Sequence, residues 1–342
     1  MIIIQNGIIV LPGKLLKNSC LEISGDKISR IGKTIKPKPG DTIIDACGAF
    51  VSPGFIDTHI HGSPAEITAN ETKYGTPSFV VAVSCGRPIP DISGCENALG
   101  VRLEGPYINP KMTGAQDKRS IRPPSVKGLE KIIRSGRGKI RMITLAPELP
   151  NAYNLIKACI RSGVIPSIGH SDADYTEAKK AFSAGIRHVT HIFNAVSGPR
   201  HGSAGASMAA LFDKRVAVEV IADMKHVEKD LLRLLIALKN NNSIILITDS
   251  VRAKSSGHKK GSTLTMIDAV RNMVKHCGVS LADAVKMASL NPAAAFGVSN
   301  DKGSIHPGKD ADIAVFDKNF DVKMTVIHGR IVYLKELPQC AV

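Results

Sequence analysis

The sequence contains no tryptophan and few aromatic residues of any kind, since phenylalanine, tyrosine and tryptophan together make up 4% of its 342 residues. Proteins that bind single-stranded nucleic acid stack the bases on aromatic side chains. The densest basic stretch, RSGRGKIR at residues 134–141, contains no aromatic residue. We therefore predict no nucleic-acid partner, and we interpret the formal net charge of +15 as a solvated basic surface.

Closely paired cysteines and long apolar segments are also missing. The seven cysteines are widely spaced and include no Cys-x-x-Cys pair, which is not the pattern of a disulfide-stapled secreted protein. No uninterrupted apolar run approaches the length that spans a membrane. The N-terminal stretch MIIIQNGIIVLPG has polar interruptions and no secretory cleavage signal. We expect a cytoplasmic protein without a membrane partner.

Short β-type runs separated by turn residues occupy both ends of the chain. IIIQNGIIV and CLEISGDKISRIG lie near the start, and KMTVIHGRIVY lies near the end. Their apolar stretches are bounded by Gly, Pro and Asp, the residues that favour turns. We predict that residues 1–50 and 305–342 pair into one small β-sandwich domain.

A different rhythm occupies residues 51–304. Apolar runs such as IRMITLAPE and SIILITDS alternate with helix-like stretches such as AYNLIKACIRSG. This alternation predicts parallel strands connected by helices, and the number of repeats favours a closed barrel over an open sheet. The predicted fold class is therefore α/β, with a (β/α)8 TIM-like barrel beside the β domain.

The stretch FIDTHIHG, at residues 55–62, places two histidines at positions i and i+2. Side chains at this spacing point to the same face of a strand. His59 and His61 can therefore direct both imidazoles at one ion. A metal site is the first hypothesis for this motif.

Other residues that bind metals or move protons stand where the predicted barrel strands end. Active sites of (β/α) barrels lie at the carboxyl ends of the strands, so this placement concentrates the residues at one mouth. Any single histidine could equally be a hydrogen-bonded buried imidazole, but the shared placement favours a site. Imidazoles with a carboxylate and no thiolate suit Zn²⁺, Fe²⁺, Mn²⁺ or Co²⁺ without choosing among them. The residues concerned are Glu104, His170, His191, His226 and Asp249.

Asp249 follows the wholly apolar run IILI by one residue. A bound metal can activate water and polarise a carbonyl, as amide hydrolysis requires. Asp249 would then take the proton of that water and pass it to the leaving nitrogen. The alternative is that Asp249 caps the following segment, which Asp often does. From this residue alone, the two interpretations stay open.

Several motifs occur together in one order: PGFIDTHIHG, LEGPYINPKMTGAQ, GHSDA, THIFNA, IADMKHV, LITDS and GSTLTM. The set resembles the amidohydrolase superfamily and, within it, the N-acetylglucosamine-6-phosphate deacetylases. The resemblance implies metal-dependent hydrolysis of N-acetyl-D-glucosamine 6-phosphate to D-glucosamine 6-phosphate and acetate by a homodimer. Two alternatives remain: an amidohydrolase acting on another N-acyl sugar or a cyclic amide, and a catalytically impaired relative that binds a sugar phosphate.

The same resemblance implies a role for each matching residue. Glu104, His170 and His191 would hold the principal metal. His59 and His61 would hold a second ion, with Zn²⁺ expected ahead of Fe²⁺, Mn²⁺ or Co²⁺ in one or both sites. Asp249 would be the catalytic acid and base. The implied substrate contacts are Ala115, Gln116, Asn194, Ala195, Gly261 and, for the phosphate, Arg200 and His226.

Three departures from the family pattern stand out. Gln116 stands where the family usually has a histidine, and an amide can donate a hydrogen bond to an acyl oxygen but cannot become cationic. Residues 62–103 are too few for a complete set of connections, which predicts a barrel with one helix missing. Residues 250–261 lack a family hairpin beside the mouth, which affects the expected contact from Gly261.

Overall fold

A computed structural model describes residues 1–251 and 261–335 of the chain. The described residues divide into two compact units, and each consists of more than one stretch of sequence. The first contains Met1–Asp57, Ala65–Phe79 and the described residues from Thr265 onward, whereas the second contains Thr58–Pro64 and the described part of Val80–Leu264. Within the described residues, no helix is both long and apolar enough to cross a membrane. The boundaries at residues 50 and 305 stay predictions.

The first unit is built on a mixed sheet of eight strands that come from both ends of the chain. The strand Phe50–Pro53 lies between an N-terminal and a C-terminal neighbour, and its pairing with the C-terminal one is antiparallel. The predicted pairing of the two chain ends is therefore present, while the subdivision into a sandwich stays a prediction. The strands are β1 Ile2–Leu11, β2 Lys14–Ser24, β3 Lys27–Gly32, β4 Thr42–Asp45, β5 Phe50–Pro53, β15 Ile313–Phe316, β16 Val322–Ile327 and β17 Arg330–Leu334.

Alternating apolar residues of these strands form the core of the first unit. Ile4, Ile9 and Leu21 of the N-terminal strands pack with Ile313 and Val326 of the C-terminal strands, and all are buried. Burial of each such side chain contributes about 1.5–3 kcal/mol relative to exposure. Three helices of the same unit follow residue 264: α7 Met266–Cys277, α8 Leu281–Ala288 and α9 Leu290–Ala295.

The second unit is organised by a sheet of nine strands: β6 Ile56–His61, β7 Ser78–Ser84, β8 Ala98–Glu104, β9 Ile140–Leu145, β10 Ile165–Ile168, β11 His188–Val189, β12 Ala217–Ile221, β13 Ile244–Ile247 and β14 Ser250–Val251. Their order in the sheet is β13-β12-β11-β10-β9-β8-β7-β6-β14. β14 pairs in parallel with β6 and begins only three residues after β13 ends, so the chain itself links the two edges of the sheet. This arrangement is consistent with the predicted barrel.

Helices connect most of these strands, but none lies between β7 and β8. A short helix, α1 Pro64–Glu71, precedes β7, whereas residues 85–97, between β7 and β8, form turns without a helix. The predicted shortening of residues 62–103 therefore corresponds to a helix missing after β7. The later connections contain α2 Val126–Ser135, α3 Ala152–Arg161, α4 Tyr175–Ser183, α5 Gly205–Phe212 and α6 Lys229–Leu238.

Candidate active site and metal centre

A cavity of about 960 Å³ lies at the carboxyl ends of the strands in the second unit. Parallel strands deliver the side chains at their ends to one edge of the sheet, which explains why residues far apart in sequence meet here. All the predicted site residues except His59 and Arg200 line it. The lining includes His61, Glu104, Ala115, Gln116, His170, His191, Asn194, Ala195, His226, Asp249 and Gly261.

The two exceptions lie in different surroundings. His59 is fully buried, and its Nε2 lies 3.3 Å from Oε1 of Glu104, so it belongs to the same cluster of side chains. Arg200 is largely exposed, and its guanidinium donates to Oδ1 of Asp172 at 3.2 Å. The structure therefore places His59 in the cluster of side chains around Glu104, whereas Arg200 lies away from the cavity.

Glu104, His170 and His191 form the first group of potential metal ligands, with one ligand atom of each within 4.8 Å of the others. The Nδ1–H of His170 donates to the carbonyl of Met112 at 3.0 Å, and that of His191 donates to the carbonyl of Asn194 at 2.8 Å. A carbonyl oxygen can only accept, so each Nδ1 carries the proton. In the neutral rings each Nε2 then turns a lone pair toward Glu104, as a metal ligand requires.

His59, His61 and Asp249 form the second group. Oδ1 of Asp249 lies 3.1 Å from Nε2 of His61 and 3.4 Å from Nε2 of His59. His61 Nε2 also lies 3.4 Å from Oε2 of Glu104, so the two groups are adjacent. Imidazole nitrogens and carboxylate oxygens that converge in this way fit one or two divalent ions of the Zn²⁺, Fe²⁺, Mn²⁺ and Co²⁺ class.

Three residues of these groups have an unusual backbone conformation. His170, His191 and Asp249 have φ values of 49°, 31° and 47°, although none of them is glycine. This left-handed region is sparsely populated for residues with a Cβ, and each such residue costs about 1–3 kcal/mol. Strain of this kind persists where the surrounding structure fixes a side chain, and it is concentrated at functional sites.

Electrostatics keep the carboxylates of both groups ionised. Burial opposes the charged form of Glu104, but the facing imidazoles, with His59 first, hold the pKa of its carboxyl well below its usual value. Burial also opposes ionisation of Asp249, but His59 and His61 lower its pKa. Burial lowers the pKa of His191, which favours its neutral, ligating form. The result is a pair of anions among imidazoles, an arrangement that attracts a cation.

A buried ion pair lies beneath the second group, and the sequence analysis did not identify it. The guanidinium of Arg102 donates to Oε1 of Glu219 at 2.6 Å and to Oγ1 of Thr190 at 2.9 Å, with Arg102 and Glu219 both fully buried. Oε2 of Glu219 lies 3.8 Å from Nδ1 of His59. The available signal was a charged residue within each of two apolar strands, VRLE and VAVEV.

The comparisons with known proteins agree with this geometry. The sequence profile of the Amidohydrolase family matches residues 92–332. The chain is 30% identical to an N-acetylglucosamine-6-phosphate deacetylase of Bacillus subtilis (strain 168), and the match covers 98% of each protein. It is 29% identical to an N-acetylgalactosamine-6-phosphate deacetylase of Escherichia coli O157:H7, with 87% of this chain and 91% of the relative covered.

A solved structure has the same fold over nearly the whole chain. It is a mutant N-acetyl-D-glucosamine-6-phosphate deacetylase of Mycobacterium smegmatis in complex with N-acetyl-D-glucosamine-6-phosphate. The TM-score is 0.87 at 27% identity, and the match covers 97% of this chain and 99% of the other. Both units described above are therefore included in the similarity.

Proposed function

This chain belongs to the amidohydrolase family, and on that basis we propose that it hydrolyses N-acetyl-D-glucosamine 6-phosphate to D-glucosamine 6-phosphate and acetate. The observation that carries the proposal is the convergence of two imidazole and carboxylate groups at one cavity, with Glu104 and Asp249 both ionised. Relatives and a solved structure that match nearly the full chain carry the same activity in their names.

The chain's own residues would divide the reaction between them. The first group, Glu104, His170 and His191, would hold the principal divalent ion, and His59 with His61 would hold a second. Such an ion, when bound, polarises the acetyl carbonyl and acidifies water. Asp249 would accept the proton of the attacking water and then return it to the sugar nitrogen as the C–N bond breaks. Water and amide are thereby converted to amine and acetate.

The remaining cavity residues are the proposed contacts to the sugar. Ala115, Asn194, Ala195 and Gly261 line the same cavity as the ligand groups. The Nδ2 group of Asn194 is buried without a hydrogen-bond partner among residues 1–251 and 261–335, which suits a donor waiting for a substrate oxygen. The position of these residues and the unpartnered Nδ2 group of Asn194 support a bound amino sugar.

The phosphate requires cationic partners. His226 lines the cavity, and its Nδ1 pairs with Asp223 at 2.6 Å, so in the protonated ring the Nε2–H group would donate to an anion. Arg200 lies outside the cavity of its own subunit. We therefore propose a homodimer in which Arg200 serves the phosphate site of the partner subunit. Sedimentation of the purified protein, with KM measured for Arg200→Ala, tests both parts.

A panel of substrates tests the proposed activity. Purified protein supplied in turn with Zn²⁺, Fe²⁺, Mn²⁺ or Co²⁺ should release free amine from N-acetyl-D-glucosamine 6-phosphate much faster than from the unphosphorylated sugar. We expect Zn²⁺ to be the ion that supports turnover. We also propose that the enzyme is cytoplasmic and that its barrel is closed and has eight strands. No turnover with any ion, in folded and metal-loaded protein, would contradict the proposal and leave a sugar-phosphate-binding relative.

A second candidate substrate is N-acetyl-D-galactosamine 6-phosphate, the C4 epimer of the proposed substrate. This chain is 29% identical to the N-acetylgalactosamine-6-phosphate deacetylase of Escherichia coli and 30% identical to the N-acetylglucosamine-6-phosphate deacetylase of Bacillus subtilis. The same panel should therefore include N-acetyl-D-galactosamine 6-phosphate. We expect a higher kcat/KM for the glucose-configured substrate, and the reverse order would reassign the substrate while keeping the chemistry.

A further inference from the structure

We propose that Gln116 is a positioning residue that clamps the carboxylate of Glu104 to the backbone at Cys85. This inference deepens the proposed function and rests on its metal-dependent chemistry. It also replaces the role expected for Gln116 from the sequence, where its amide would contact the acyl oxygen of the substrate. The claim concerns how one metal ligand is held in place before any substrate binds.

The hydrogen bonds of Gln116 fix the orientation of its amide. Nε2 donates to Oε2 of Glu104 at 2.7 Å, and Oε1 accepts from the backbone N–H of Cys85 at 2.7 Å. An ionised carboxylate can only accept and a backbone N–H can only donate, so exchanging the amide oxygen and nitrogen would break both bonds. The side chain is buried, which strengthens both contacts relative to water.

The clamp gives the two carboxylate oxygens of Glu104 different surroundings. Oε2 is held by Gln116 and lies 3.4 Å from Nε2 of His61, whereas Oε1 lies 3.3–3.4 Å from Nε2 of His59, His170 and His191. Without the amide, the carboxylate could rotate about its last torsion, which is soft for glutamate. Gln116 therefore keeps Oε1 directed at the imidazoles. Hydrogen bonds from outer residues serve ligand carboxylates in this way.

The loop that carries Gln116 is itself firmly held. The backbone N–H of Gln116 donates to the carbonyl of Thr113 at 2.8 Å. A Cβ added at Gly86 would lie 2.1 Å from Oγ of Ser120, so the segments after β7 and around residue 120 are in close contact. The missing helix after β7 leaves Cys85 in a short turn beside this loop. The clamp thus joins Glu104 to the segment in which the chain departs from the family pattern.

The decisive variant is Gln116→Met, which keeps the length of the side chain and removes both hydrogen bonds. Loss of an outer partner typically weakens metal binding by about 10- to 100-fold, and we expect that loss for Zn²⁺ in competition with a chromophoric chelator. The deficit in turnover should shrink as Zn²⁺ is raised. Unchanged Zn²⁺ affinity with a turnover loss that added Zn²⁺ does not restore would overturn the clamp and favour an acyl-oxygen contact.

A matched control is Asn109→Leu. Asn109 Nδ2 donates to Oε1 of Glu148 at 2.8 Å, so this variant removes the same type of bond from a carboxylate outside the two ligand groups. Its Zn²⁺ affinity should stay within about threefold of the wild type, well below the loss of about 10- to 100-fold expected for a lost outer partner. An equal loss of affinity in Asn109→Leu would contradict a specific role for Gln116.

Two further measurements keep the test informative. Thermal unfolding of the metal-free proteins separates a loss of folding from a loss of binding. If Gln116→Met does not fold, Gln116→Asn, whose shorter amide can reach only one of the two partners, should show a smaller loss of Zn²⁺ affinity, and wild-type affinity would overturn the proposal. Zn²⁺ binding needs no substrate, so wild-type protein that binds Zn²⁺ without hydrolysis would count against the proposed function alone.

Discussion

Each unit of the molecule contains a cluster of largely buried carboxylates, and the two clusters are completed in different ways. In the first unit, the ammonium of Lys302 lies 2.9 Å from Asp310 and 2.6 Å from Asp312, and Lys27 lies 2.6 Å from Asp310. Each of the two carboxylates therefore meets an ammonium. In the second unit, Glu104 and Asp249 meet imidazoles instead.

This difference separates a structural cluster from a functional one. A permanently charged ammonium neutralises a carboxylate within the fold, so the lysine cluster needs no ligand. A histidine is different, because its imidazole can give up a proton and then offers a lone pair to a cation. Burial and Arg102 oppose protonation of His59, but Asp249 and Glu104 raise its pKa to about 9, so a proton that a metal ion can displace balances part of this charge. The two clusters contain similar carboxylates, and the chemistry of the neighbouring side chains decides which cluster can bind a metal ion.

The largest expected effect comes from Asp249→Asn, which removes the proton acceptor and retains the shape of the side chain. Loss of a general acid and base lowers kcat by about 10²- to 10⁴-fold, and we expect a loss in this range in an assay of amine release. Asp213→Asn, which changes a carboxylate paired with Arg215 outside the two ligand groups, is the control and should leave kcat unchanged. Full turnover by Asp249→Asn would remove Asp249 from the mechanism.

Lys302→Met tests the other cluster. The change leaves Asp312 without its ammonium in a buried position, and breaking such a pair lowers the free energy of unfolding by about 3 kcal/mol or more. Urea denaturation followed by circular dichroism measures the loss. Arg233→Met, at an exposed pair with Asp230, should change it by less than about 1 kcal/mol. Equal effects in the two variants would contradict the structural role of Lys302.

Removal of the metal ion should lower the stability of the folded protein by a smaller amount than Lys302→Met does. An ion present at about 100 times its dissociation constant stabilises the folded state by about 2.7 kcal/mol. Dialysis against a chelator should therefore lower the midpoint of thermal unfolding, and added Zn²⁺ should restore it. His170→Ala should lose most of this response because it removes a proposed ligand from the first group. A chelator-insensitive midpoint in the wild type would argue against a tightly held ion.

The smallest expected effect is a dependence of stability on pH in the first unit. Burial opposes the ionisation of Asp310, but Lys27 and Lys302 lower its pKa below the usual 3.8. A lowered pKa in the folded state gives stability that is present above pH 3.8 and is lost as the pH falls below it. The difference in urea midpoint between wild type and Asp310→Asn should therefore shrink in acid. A difference that grows in acid would reverse the assignment.

The parts of the site that could be predicted from the sequence are those that depend on short stretches of the chain. The i and i+2 spacing of His59 and His61 and the strand-end positions of His170 and His191 are local features, and the sheet then brings these residues together. The partners of Gln116 could not be predicted in this way, because its contacts with Glu104 and Cys85 depend on how two loops pack against the end of β8. The functional roles of these residues stay proposals.

The same distinction separates the features of the fold that could be predicted from those that could not. Alternation of apolar runs and helix-like stretches predicted the parallel sheet, and the short segment before Glu104 predicted a missing helix. The ion pair of Arg102 and Glu219 was not predicted, since each residue interrupts an apolar strand and finds its partner four strands away in the sheet order. Pairings between distant strands leave no periodic signal in the sequence.

The most direct test of the central claim is a titration of metal-free protein with Zn²⁺, in which bound ion and amine release from N-acetyl-D-glucosamine 6-phosphate are measured on the same samples. The claim that the imidazole cluster is completed by a cation predicts that turnover rises in step with the occupied ligand groups and saturates at one or two ions per chain. Turnover that is already full in the metal-free protein, or absent when the groups are filled, would contradict it.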